Sequence, residues 1–232
     1  MLKITSIFSV LLAVQAIKAM VCPQADTIAP CTCLDEFPYE RIYCEDLMVT
    51  QYEIDRAINH LIAVNNMTVH DEMTWIYLDK FRVKNSVQLT SLDLSDLSLM
   101  SIRSIQVYSN PYLENIFVNS STTNVTELVL YDNNLMSESL MDLVPKVKNT
   151  LNSVDLSGIN IEYLPAAIFE EFLNENAENR IYGSSNPFIC DYRMIWLRKG
   201  RDTYERQVAN INCENDLYNN IFNTTFTPTN II

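Results

Sequence analysis

Few side chains in this 232-residue chain are spaced for covalent chemistry. His60 and His70 are its only histidines, so the H-E-x-x-H pair of a zinc hydrolase is missing. Its three glycines, Gly158, Gly183 and Gly200, are scattered. A Walker loop and a dinucleotide fingerprint both need clustered glycines so that the backbone can approach phosphate, and neither is written here. No G-x-S-x-G elbow occurs. Asp93 and Asp155 could meet across neighbouring strands as a carboxylate pair, an arrangement common in any acidic sheet. The chain therefore reads as no enzyme, with no catalytic, cofactor-binding or metal-ligating residue and no cofactor.

What remains is recognition by side chains that stand out from strands. Ser91, Asp93 and Ser95 alternate with apolar residues, as do Glu127, Val129 and Tyr131, and then Ser153, Asp155 and Ser157. Parallel strands about 4.8 Å apart set such residues in a ladder that can hold a protein or a glycan. Tyr131 beside Val129 is the most contact-like spot, because Tyr offers a large amphipathic area at low entropy cost. The expected partner-binding residues are Asp93, Glu127, Val129, Tyr131 and Asp155, and the expected partner is an extracellular protein or glycan.

The elements that would carry this ladder recur along the chain. Leu89-x-x-Leu92-x-Leu94 returns as Val125-x-x-Leu128-x-Leu130-x-x-Asn133-x-Leu135 and as Leu151-x-x-Val154-x-Leu156. Alternating apolar runs read as one-faced strands, and here each comes back after about 20 to 40 residues rather than after a hairpin turn. One coil cannot bury its own apolar face, so coils stack and share a core. Asn133 sits where the chain leaves its strand, a place for a side chain that satisfies backbone groups. Leu97 and Ile159 hold that position in the other two copies, so a ladder of such asparagines is expected to be mostly missing. Val64-x-x-Met67-x-Val69 reads as an earlier strand and Tyr52 to Ile62 as a short helix. Leu113-x-x-Ile116-x-Val118 also reads as a strand, yet it leaves too few residues before Val125 to close a coil. It lies either on the convex side of one long repeat or before an abnormal coil at 119–124.

Cysteines stand at both ends of the repeats. Cys22, Cys31, Cys33 and Cys44 precede them, and Cys190 and Cys213 follow. An even number behind a secretory signal argues for disulfides, and four cysteines allow three pairings. Met1 to about Met20 has an early lysine and the apolar run Ile7 to Val14, too short to span a bilayer, so it reads as a signal peptide cleaved after Ala16 or, preferably, Ala19. Loss of Lys3 and Lys18 from 16 basic residues leaves 14 against 29 acidic ones, a net charge of −15. Such a surface repels nucleic acid and anionic membranes. Asn66, Asn119, Asn124 and Asn223 head Asn-x-Ser/Thr triplets, candidate glycan sites on a secreted chain.

The last repeat runs through Leu164-Pro165 to Phe169, and then comes Asn186-Pro187-Phe188-Ile189-Cys190-Asp191 with Trp196-Leu197. This N-P-F-x-C-D-x-x-x-x-W-L run resembles the C-terminal cap of secreted and cell-surface leucine-rich repeat proteins. Cys22-Pro23, Cys31-x-Cys33 and Cys44 are similar to their N-terminal cap. The stretch Cys22 to Cys33 resembles that of arthropod proteins similar to the non-catalytic subunit of Oplophorus luciferin 2-monooxygenase. The resemblance implies an α/β fold, a short leucine-rich repeat solenoid with a parallel concave sheet and disulfide-tied caps. It implies the bridges Cys22–Cys33, Cys31–Cys44 and Cys190–Cys213, and Trp196 packed on a cap helix. Tyr192 stands where the family's cap carries a further cysteine, so this cap has one bridge. The expected organisation is a signal peptide at 1–19, an N-terminal cap at 20–60, repeats at 61–185, a C-terminal cap at 186–216 and a polar tail at 217–232. The expected function is secreted, non-catalytic binding; a structural matrix or cuticle component, or an accessory subunit of a secreted enzyme, is the alternative.

Overall fold

The computed structural model describes residues 20–35, 39–65, 76–119, 124–147, 149–214 and 220–223. The expected signal peptide, His70, the Asn66 triplet with Met67, and Val69 lie outside the described residues, as does most of the polar tail.

In chain order the helices and strands are α1 (Ala25–Ile28), β1 (Cys31–Leu34), β2 (Arg41–Glu45), α2 (Gln51–Val64), β3 (Ile76–Lys84), β4 (Ser91–Asp93), β5 (Met100–Tyr108), β6 (Asn115–Phe117) and β7 (Glu127–Val129). There follow α3 (Ser137–Val147), β8 (Ser153–Asp155), α4 (Ala166–Glu175), β9 (Arg180–Tyr182), α5 (Ile195–Lys199), α6 (Arg201–Tyr204) and β10 (Val208–Ala209). The fold is mixed α/β around one eight-stranded sheet ordered β1-β2-β3-β5-β7-β8-β9-β10. Only β1 and β2 pair antiparallel; every later pair in the sheet is parallel. Parallel neighbours must be joined by a crossover that leaves the sheet. Here the crossovers build a second wall, in which β4 pairs with β6, α2 touches β4, and α3 touches β6 and α4.

Between the walls lies one apolar core. Phe81, Ile105, Leu128, Val154, Ile181 and Val208 are register partners from β3 to β10, and all are buried. The second wall answers with helical stripes: Ile54, Ala57, Ile58 and Leu61 on α2, Leu140, Leu143, Val144 and Val147 on α3, and Ile168, Phe169, Phe172 and Leu173 on α4. Spacings of three and four residues put each set on one helix face. α2 begins where its register demands, because the Thr50 N–H donates to Glu53 Oε2 at 3.0 Å in a capping box.

From β3 onward, each parallel strand of the long sheet leaves it by the same turn. Asn85, Ser109, Asp132, Gly158, Ser185 and Asn210 follow β3, β5, β7, β8, β9 and β10, and all have φ of 53° to 63°. That left-handed region favours Asn, Asp and Gly. At Ser86, Asn110, Asn133 and Asn186 the residue after the turn then ties neighbouring strand exits together. Ser86 N–H donates to Asn110 Oδ1 at 3.0 Å, and Asn110 N–H donates to Asn133 Oδ1 at 3.1 Å. Asn133 Nδ2 donates to Val107 and Leu130 carbonyls at 2.7 and 2.6 Å, while Asn186 Nδ2 donates to the Leu156 carbonyl at 2.7 Å. The asparagine ladder expected to be mostly missing is therefore present at Asn110, Asn133 and Asn186, with Ser86 at its start and Ile159 as its gap.

Two strand expectations are corrected and a third, left open, is decided. Leu89 to Leu94 does not join the long sheet: Leu92 sits on β4, in the second wall. The two long strands β3 and β5 stand in the sheet instead, carrying Leu78-x-x-Phe81-x-Val83 and Ile102-x-x-Ile105-x-Val107. Val64 ends α2 rather than opening a strand. Of the two placements open for Leu113 to Val118, β6 takes the one outside the long sheet. The helix expected over Tyr52 to Ile62 lies within α2.

Disulfides close both ends, paired as the resemblance implied: Cys22–Cys33, Cys31–Cys44 and Cys190–Cys213. Cys31 and Cys44 face one another directly across β1 and β2. Beyond β9, Trp196 is buried on α5, its indole N–H donating to the Leu164 carbonyl at 3.1 Å and its ring set edge-on to Tyr204 at 5.6 Å. No described helix is long and apolar enough to cross a membrane.

Asn133→Ala removes a buried side chain that serves two neighbouring strand exits and strands the Val107 and Leu130 carbonyls. Urea unfolding is expected to show a loss of about 2 to 3 kcal/mol, whereas the exposed neighbour Asn134→Ala changes stability by less than about 0.5 kcal/mol.

Candidate partner-binding face

With one side of the long sheet committed to the core, the alternate residues of each strand face outward. Parallel register lines them up. One row runs Arg41, Lys80, Ser104, Glu127, Ser153, Arg180; the next runs Tyr43, Arg82, Gln106, Val129, Asp155, Tyr182. A third opens with Glu45, Lys84 and Tyr108.

Arg82 is the hub of this face. Its guanidinium carbon lies 4.5 Å from the Tyr43 ring centre and 5.8 Å from that of Tyr108. Its Nε donates to Gln106 Oε1 at 2.9 Å, and its Nη1 pairs with Glu45 Oε1 at 3.0 Å. Lys84 Nζ holds the other Glu45 oxygen at 3.1 Å. Tyr108 stacks in turn on Tyr131, with ring centres 4.4 Å apart. Glu127 accepts from Ser104 Oγ and, at 3.4 Å, from Gln106 Nε2. The result is a continuous aromatic and guanidinium surface from Tyr43 to Tyr131, half-buried and fixed from below by the strands. Burial and the neighbouring Tyr108 push the Tyr131 hydroxyl pKa up, so it stays a neutral donor at ordinary pH.

Of the residues expected to bind a partner, Glu127, Val129, Tyr131 and Asp155 share this face. Asp93 does not. It stands on β4 in the second wall, where its backbone N–H donates to Gln51 Oε1 at 2.8 Å and its carbonyl accepts from Gln51 Nε2 at 2.9 Å. Asp93 and Asp155 therefore form no pair. Asp155 Oδ1 accepts from the Ser157 N–H at 3.0 Å, so part of its carboxylate shapes the turn after β8. Sequence reasoning missed Tyr43, Lys80, Arg82, Gln106 and Tyr108. The signal was the alternation in Phe81-Arg82-Val83-Lys84 and in Ile105-Gln106-Val107-Tyr108.

The described candidate glycan sites Asn119, Asn124 and Asn223 are exposed. Asn124 Nδ2 donates to Ser101 Oγ at 2.9 Å, near the strand ends opposite Tyr108 and Tyr131. Among the described residues no three His, Cys, Asp or Glu side chains gather in a metal-binding group. Compared with known proteins, the chain matches no family model, and no curated protein is similar to it.

Glu45 reports the electrostatics of the face. Burial alone would raise its pKa, but hydrogen bonds and charge from Arg82 and Lys84 outweigh that and hold it below the ordinary 4.5. A lowered folded-state pKa means that this carboxylate's contribution to stability is complete above the ordinary Glu range and is lost as pH falls through the lowered value. In a carbon-13 carboxyl titration, Glu45 is expected to titrate below 4.5, and Arg82→Gln to move it upward. An unmoved Glu45 would mean that the pair does not form in solution.

Proposed function

We propose that this chain is a secreted, non-catalytic binding protein of the leucine-rich repeat type, a short solenoid that takes a protein or glycan partner on the outward, concave face of its long sheet. Support for the solenoid comes from the repeated left-handed turn and the Ser86–Asn110–Asn133 tie, which recur with a spacing of one coil. The three disulfides and a leading apolar run suit an oxidising, extracellular setting.

The observation that carries the binding reading is the Tyr43–Arg82–Tyr108–Tyr131 stack on an accessible face. Tyr and Arg are the residue types enriched where binding energy concentrates, Tyr because it buries large area with few rotors to freeze and keeps a polar tip, Arg because its planar guanidinium stacks and offers several donors. The fold gains no core from them, since they lie on the side of the sheet away from it. Arg82 is also held by Glu45 and Gln106, so little conformational freedom is left to lose on contact.

The test is capture of partners from native extracellular fluid by the glycosylated, secreted chain. Arg82→Ala with Tyr131→Ala is expected to lower capture at least tenfold, while Asp93→Ala on the second wall leaves it unchanged. Capture that survives the double variant but fails with Asp93→Ala would place the contact on the other wall and overturn the proposal.

A further inference from the structure

The cations of this face are unequally matched. Arg82 and Lys84 share Glu45, and Arg41 and Arg103 share the buried Asp79 at 3.7 and 2.6 Å. Glu127 is taken by Ser104 and Gln106. Lys80 stands amid these groups, opposite Arg41 in the register and two residues before Arg82 on the same face. Among the described residues, its ammonium has no hydrogen bond and no ion pair within 4.0 Å. Burial, and then the positive charges of Arg82 and Arg41, press its pKa down, while Glu127 and Asp79 act against them without contact. An ammonium kept half-buried beside two guanidinium groups is a place where an added anion is favoured twice, by its own attraction and by the repulsion it relieves.

We propose that Lys80 and Arg82 form a receptor for a single carboxylate on a protein partner, an Asp or Glu side chain carried next to aromatic or apolar residues that pack on Tyr43 and Tyr108. This deepens the proposed function and rests on it. A point anion fits the surroundings better than a polyanion does. Along the row of Lys80 the sheet turns acidic at Glu127, the next row reaches Asp155, and the chain as a whole carries an excess of 13 acidic over basic residues. A sulfated glycan strand laid across the sheet would leave the cations within a few strands of about 4.8 Å each and meet carboxylates. One carboxylate meets only Lys80 and Arg82, and it accepts charge-assisted hydrogen bonds from both.

The experiment uses the full secreted, glycosylated chain with its lysines reductively methylated with carbon-13. The Lys80 resonance is assigned by its disappearance in Lys80→Arg. The probes are acetyl-Tyr-Glu-Tyr-amide, its Gln counterpart and a heparin-derived tetrasaccharide. The Glu peptide is expected to shift the Lys80 resonance saturably, the Gln peptide to bind at least tenfold more weakly, and Arg82→Gln to cost the Glu peptide at least tenfold. Equal binding of Glu and Gln peptides, or tighter binding of the tetrasaccharide, overturns the proposal. Capture from extracellular fluid separates this from the wider reading. Loss on Arg82→Ala with Tyr131→Ala but none on Lys80→Gln leaves the binding face standing and removes the carboxylate subsite. Loss on neither removes both. Rescue of capture by Lys80→Arg after loss on Lys80→Gln supports the subsite, since both cations can serve one carboxylate.

Discussion

The structure depends on one backbone requirement, that a parallel strand must leave its sheet and return beside itself. From β3 onward each exit takes a residue at positive φ, and at Ser86, Asn110, Asn133 and Asn186 the next residue sets a polar side chain against a neighbouring strand's exit. The turn points the chain out of the sheet, and the side chain satisfies N–H and carbonyl groups that the turn has orphaned. Asn is suited to this because it accepts and donates at once. Asn110 shows both halves: its Oδ1 accepts from Ser86, and its Nδ2 donates to the Tyr108 carbonyl at 3.0 Å. Without that exchange, buried backbone groups at each corner would cost about 1 to 3 kcal/mol apiece. Where Ile159 replaces Asn, Gly158 supplies the turn and its N–H donates to the Ser184 carbonyl at 2.8 Å.

Because the corners fix the register, the outward face inherits its order. A slip of one residue would turn Arg82 and Tyr108 into the core and bring Phe81 and Val107 out. The stack of Tyr43, Arg82, Tyr108 and Tyr131 is thus a consequence of strands held level by their exits. Tyr131 lies just past β7 and directly before Asp132, one of the left-handed residues, and its carbonyl accepts from the Ser109 N–H at 3.1 Å. The same hydrogen bond that joins two turns holds Tyr108 and Tyr131 close enough to stack. Fold and face are secured by one set of contacts.

How much of this was legible followed from residue type. The Val125 copy announced β7 and its Asn133 because Leu fills most of its frame. The Leu151 copy announced β8. Leu78-x-x-Phe81-x-Val83-x-x-Ser86 and Ile102-x-x-Ile105-x-Val107-x-x-Asn110 follow the same frame, but Phe, Ile and Val stand for Leu and Ser stands for Asn. β-branched and aromatic residues suit a strand better than Leu does, so the two longest parallel strands were the ones whose Leu signature had faded. Leu89 to Leu94 kept every leucine and misled, because a short apolar run reports burial and not which wall is being built. Asp93 was misplaced for that reason alone. Disulfide pairing followed from the resemblance of the caps, since the spacing of four cysteines allowed three arrangements.

The face also shows how a net acidic chain can gather cations on one side of its sheet. Coulomb attraction falls off with screening over about 8 to 10 Å, so at the proposed contact face the groups within one strand spacing outweigh the distant acidic ones. Glu45 and Asp79 each serve two cations. Each carboxylate fixes the direction of its partners more than it cancels their charge. Glu45 holds Arg82 between two tyrosines, and Arg82 in turn keeps Gln106 aimed at Glu127. A guanidinium so confined offers its plane and remaining N–H groups in one orientation, which a flexible lysine cannot do. Arg82 thereby supplies the geometry and Lys80 the unspent charge, two roles that no single residue of this face could fill.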